Sequence, residues 1–101
     1  MWNVQVTIRR WTSDDLPGWV ECELEDASGR RHFFEEKTPV VSDRTLSADL
    51  LPCAGYIACT VVGDADGRGA VEIDTRDPWG IASVEGESRF TVPRGSLIHL
   101  A

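Results

Sequence analysis

The stretch Trp19-Val20-Glu21-Cys22-Glu23-Leu24-Glu25-Asp26-Ala27-Ser28-Gly29-Arg30-Arg31-His32-Phe33-Phe34-Glu35-Glu36-Lys37 decides the fold class. After Trp19, apolar and acidic residues alternate as far as Glu25, the period of a half-buried strand. Asp26 suits the first position of a type I turn and Gly29 the left-handed position that follows it, which predicts a hairpin with a three-residue loop and a bulge. This register pairs Cys22 with Phe34, Leu24 with His32 and Glu25 with Arg31. Val20, Cys22, Leu24 and Phe34 then face inward, while Trp19, Glu21, Glu23 and Glu25 face outward, with Phe33 opposite Glu23 and Glu35 opposite Glu21.

Upstream, Trp2, Val4, Val6 and Ile8 recur at every second position and predict a first strand with Trp2 in its core-facing phase. Downstream, Asp64-Ala65-Asp66-Gly67-Arg68 repeats the spelling of the first turn with one substitution, and the same register would pair Cys59 with Ile73, Val61 with Val71 and Thr60 with Glu72. Between the hairpins, Ser47-Ala48-Asp49-Leu50-Leu51 is the one helix-like stretch, with Ser47 as its cap and Pro52 as its stop. Ile81–Val84 and Ser88–Val92 read as two further short strands, and Leu97, Ile98 and Leu100 as a tail that packs down. The expected fold is all-β over a single domain, 1–101: a small antiparallel barrel, OB-like or an SH3-like roll, of about six strands with at most one short helical turn.

The 101 residues carry a net charge of -7, with 17 acidic side chains against 10 basic ones. The arginines are scattered among acids and Lys37 is the only lysine, so no basic stripe exists to lie along phosphates, and nucleic acid and anionic membrane are disfavoured as partners. The amino-terminal twelve residues lack the apolar run of a signal peptide, and no stretch approaches a membrane span. Three cysteines, an odd number, suit a reducing compartment; the expected location is cytoplasmic.

Few residues suggest chemistry. The Asp64 turn echoes part of a calcium loop, but Val62 and Ile73 stand where the first and last ligands belong, so the spelling is read as a turn. Cys22, Cys53, Cys59, His32 and His99 contain no close ligand pair of the zinc type. Cys53 with a histidine is the one nucleophile pairing to weigh, and proximity cannot be read from spacing. The expectation is therefore no catalytic residues, no metal and no cofactor. Trp11, Trp19 and Trp79 flank turns rich in Asp, Pro and Gly, where large aromatics either close a barrel end or form contact points for a partner. Trp19, Glu21, Glu23, Phe33, Trp11 and Trp79 are the candidate binding residues. The facing pair Glu21 and Glu35 costs stability, which points to a basic partner for that face.

Pro17-Gly18-Trp19-Val20-Glu21, the Asp26 turn, Glu36-Lys37 with Pro39-Val40-Val41, and Trp79-Gly80-Ile81 together resemble a family of short uncharacterised bacterial proteins. The resemblance spans most of the chain and implies a bacterial, cytoplasmic protein, with no activity or catalytic residue attached. Small size, acidic charge and the lack of a catalytic set lead to the expected function: a non-catalytic acidic protein-binding module, of immunity or inhibitor type, whose partner is an unidentified basic protein. The alternative is an OB-like binder of a small ligand or single-stranded nucleic acid, which would require aromatics interleaved with cations.

Overall fold

The structure is a computed structural model that describes residues 1–15, 17–64 and 69–99. Its strands are β1 (Trp2–Ser13), β2 (Trp19–Glu25), β3 (Arg31–Lys37), β4 (Cys53–Asp64), β5 (Ala70–Asp74), β6 (Arg89–Pro93) and β7 (Leu97–His99). They form one antiparallel sheet in the order β3-β2-β1-β4-β5-β6, with β7 added on β1. The fold is all-β and barrel-like, and the strand, hairpin, connection, hairpin order expected of the OB-like alternative is realised. No helix among the described residues is long and apolar enough to cross a membrane.

Two long strands organise the sheet. β1 pairs with β4 through its first half and with β2 through its second, and β4 passes from β1 at Cys53–Cys59 to β5 at Thr60–Asp64. Bulges lie between Ile8 and Arg10, Trp11 and Ser13, and Val61 and Gly63, where an added residue sharpens the twist. The sheet therefore curls, and its edge strands approach each other. The amide of Ala27 donates to the Thr91 carbonyl at 2.8 Å, and that of Val84 donates to the Phe33 carbonyl at 2.8 Å. Inside the curl lie Val4, Val6, Ile8, Val20, Cys22, Leu24, Phe34, Ile57, Val71, Ile73, Phe90 and Val92, all buried. Each fully buried aliphatic or Phe side chain contributes roughly 1.5–3 kcal/mol.

The first hairpin has the expected register: Cys22 faces Phe34, Leu24 faces His32, Glu25 faces Arg31, and Gly29 takes φ +87°. The second hairpin does not. Val61 stands opposite Ile73 and Thr60 opposite Asp74, and the bulge after Val61 brings Glu72 opposite Gly63. β4 runs on to Asp64, and the pairing is slid by two residues at Thr60 and Val61 and by three past the bulge, whose extra residue accounts for the third. Because the side-chain period is also two, Ile57, Cys59, Val71 and Ile73 still face the core. The rest of the Asp64 turn, including the partial calcium-loop spelling, lies outside the described residues.

Two further expectations are corrected. Trp2 is 40% exposed: it is the first residue of β1, paired with Cys59 and the exposed His99, and its indole meets the His99 ring edge-on at 4.9 Å. Ile81–Val84 is a loop, since Ile81 donates to Thr75 at 3.1 Å and Ser83 to Glu87 at 2.7 Å in place of a strand ladder. Helix is as sparse as expected: among the described residues there is one short helix, α1 (Thr38–Val41), with lone 3-10 turns at Ala48–Leu50 and Arg94–Ser96. Pro39 suits the first turn of α1, whereas Ser47 bonds Asp49 at 2.5 Å instead of capping the backbone.

The end of α1 seats against β4 at Gly55. A Cβ there would stand 2.6 Å from Ile8 Cδ1 and 2.8 Å from the Val41 carbonyl oxygen. Gly55→Ala is expected to lower stability by about 1–3 kcal/mol through overpacking, while the far-ultraviolet spectrum stays β. Thermal unfolding checks this; a change under about 0.5 kcal/mol would mean that α1 is not seated by this contact.

Candidate functional site

The structure distributes the six candidate residues over three places. Trp19, Glu21, Glu23 and Phe33 do share the outer face of β1, β2 and β3, each partly exposed. Trp11 belongs elsewhere: its ring lies against Gly18, it packs on the core, and it walls a cavity at the barrel end. Trp79, 54% exposed, rims a separate groove.

On the outer face Glu21 and Glu23 are not unpaired charges awaiting a partner. Arg10 forks onto Glu21, Nε to Oε1 and Nη2 to Oε2, both at 3.3 Å. Glu23 lies 3.8 Å from Arg9 and 3.9 Å from Arg31. Glu35 does stand opposite Glu21, but Arg10 on the other flank of Glu21 offsets that repulsion. The face therefore has a structural explanation: exposed pairs of this kind contribute roughly 0.2–1 kcal/mol each. Sequence reading missed these pairs because the bulge between Ile8 and Arg10 turns two successive arginines toward β2. Lys37 adds a cation–π contact, with Nζ 5.6 Å from the Trp19 ring centroid.

The cysteines are all free, and Cys22 and Cys59 are buried. Burial, aided by Glu36, Cys53 and Glu21, pushes the Cys22 thiol up to about 12, and burial alone brings Cys59 to about 11. Neither is a nucleophile at neutral pH. Cys22 and Cys53 flank Ile8 from opposite sides, so two strand spacings of about 4.8 Å separate them, beyond the roughly 7 Å reach of a disulfide. His32 is buried opposite Leu24 and engages Asp26, whereas His99 is exposed. Among the described residues no three His, Cys, Asp or Glu side chains converge as metal ligands.

Two of the concavities hold candidate binding residues, Trp11 in one and Trp79 in the other. The larger, about 470 Å³, is lined by Trp11, Thr38, Ser42, Asp43, Arg44 and Leu46. The other, about 270 Å³, is lined by Asn3, Val40, Asp43, Tyr56, Trp79 and Ile98, among others, and so lies between α1 and the Trp79 turn. Neither was visible from spacing, because each gathers residues from distant segments. Comparisons with protein-family models, curated proteins and solved structures found no match for this chain.

The Asp26 turn is the one strongly organised polar cluster. Asp26 accepts from the Ser28 amide at 2.9 Å, the Ser28 hydroxyl at 2.7 Å, the Arg30 amide at 3.0 Å and His32 Nε2 at 2.8 Å. Burial opposes its ionisation, but these bonds outweigh burial and bring the carboxyl down from 3.8 to about 2. A depressed folded-state value stabilises above the unfolded value and is lost as pH falls through the folded one. Acid titration from pH 4 to pH 2 should thus cost the native protein about 1–2 kcal/mol more than it costs Asp26→Asn. Equal acid sensitivity in denaturant melts would remove this role from Asp26.

Proposed function

We propose that this chain is a non-catalytic acidic module of immunity or inhibitor type, acting in a bacterial cytoplasm on a basic partner protein. The observation that carries this reading is the fate of the cations. Arg9, Arg10, Arg30, Arg31, Arg89 and Arg94 each lie within ion-pair distance of a carboxylate of the same chain. Asp14, Asp15, Glu25, Glu35, Asp43 and Glu85 have no ion pair among the described residues. The uncompensated surface charge is accordingly negative, which raises the encounter rate with a basic surface and repels nucleic acid and anionic lipid. Three unpaired thiols support a reducing compartment.

A small-ligand reading has one observation in its favour. Arg44, with no ion pair among the described residues, shares the 470 Å³ cavity with Trp11, a combination suited to a planar anion. Asp43 on the same wall counts against it.

The test is capture from bacterial lysate, followed by kinetics with the purified partner. The expected partner is basic, and its association rate falls by about tenfold or more between 50 and 500 mM salt. Glu25→Lys with Glu35→Lys should slow association several-fold without changing the melting temperature. A salt-independent rate, or a nucleic acid as the captured species, would overturn the reading.

A further inference from the structure

Asn3 combines two properties that polar side chains seldom share. It is 7% exposed, yet its amide makes no hydrogen bond among the described residues and is not one of the fully buried polar atoms, so its polar edge reaches the open groove. A side chain this covered usually has its amide bonded to protein, so one left open toward a groove is available to a ligand. Asn3 sits on β1 between Ala58 of β4 and Ile98 of β7, and lines the groove between α1 and Trp79.

The remaining lining describes what would meet that amide. Val40, Tyr56, Trp79 and Ile98 supply apolar and aromatic surface, and Trp79 is 54% exposed. Among the described residues Asp43 is the only charged side chain lining the groove, and it has no ion pair there. A carboxamide offers a donor and an acceptor side by side, the complement of a peptide group. An exposed tryptophan over an apolar slot is the usual composition of an interface anchor point.

We propose that this groove is the docking site of the basic partner, and that it takes an extended peptide segment carrying a large aliphatic residue beside a lysine or arginine. The aliphatic side chain lies against Trp79 and Tyr56, Asn3 bonds the segment's backbone amide, and the cation pairs with Asp43. This rests on the reading of the chain as a binder of basic proteins and adds the site and the recognised chemistry.

The experiment selects a random peptide library on the full-length chain and measures the enriched peptides by tryptophan fluorescence or calorimetry. Enriched sequences should place Lys or Arg next to Leu, Ile or Met. Their affinity should fall about tenfold or more on Trp79→Ala and on Asn3→Ala, and severalfold on Asp43→Lys. Melting temperatures show that each variant is folded, and Trp79 and Asp43 are exposed enough for those two to fold even if Asn3→Ala does not. Basic peptides that bind wild type and all groove variants equally, but weaken on Glu25→Lys with Glu35→Lys, would overturn the groove and leave the acidic-module reading standing. No enrichment of basic peptides over an unrelated control protein would overturn both. Concentration-dependent self-association that Trp79→Ala abolishes would give the groove to a second copy of this chain and likewise reject a peptide.

Discussion

The antiparallel pairing of β1 with β4 is the constraint on which the rest of the molecule depends. Seven successive pairs run from Trp2 with Cys59 to Ile8 with Cys53, and Gln5 with Tyr56 is the middle one. On either side of this seam hangs a three-stranded meander, β1-β2-β3 and β4-β5-β6. Each long strand leaves its partner halfway along to join its own meander, so the sheet must bend at the seam. Bulges supply the bend. Gly55 lets the bent sheet accept α1 against its inner surface. The second strands carry similar electrostatic clasps: Arg10 on Glu21 in β2, and Arg89 on Glu72 in β5 at 2.9 Å.

How much of this was legible depends on whether local chemistry or a distant contact set the outcome. Asp26 and Gly29 fix the first hairpin from within five residues, so its register could be read directly. The second hairpin has the same spelling, yet the bulge after Val61 answers to the pairing of β4 with β5 and leaves no mark in the alternation. Period two protected the inside and outside assignments from that error, which is why the core residues were right while their partners were not. Trp2 shows the opposite failure: its phase was right, but alternation does not reveal where the covered part of a strand ends.

Among the candidate binding residues the same division holds. Trp19, Glu21, Glu23 and Phe33 were placed together because one hairpin supplies them all. Their ion pairs were not foreseen, since Arg9 and Arg10 come from a third strand and turn toward β2 at a bulge. The groove was invisible as well. Asn3, Val40, Asp43, Tyr56, Trp79 and Ile98 come from the first strand, the helical connection, β4, the turn after β5 and the last strand.

The contacts that bring β3 and β6 together have a consequence for crowding. A strand edge with unanswered amides and carbonyls is a template on which another molecule can continue the sheet. Here the Phe33 carbonyl is occupied by Val84, and the Thr91 carbonyl by Ala27. The loop carrying Val84 is tied down by fully buried Thr75, whose hydroxyl donates to the Ile81 carbonyl at 2.8 Å. That loop is a sentinel: while it is latched, the open side of the curl offers neighbouring molecules little ladder to extend, and the chain can reach high concentration without polymerising through that edge.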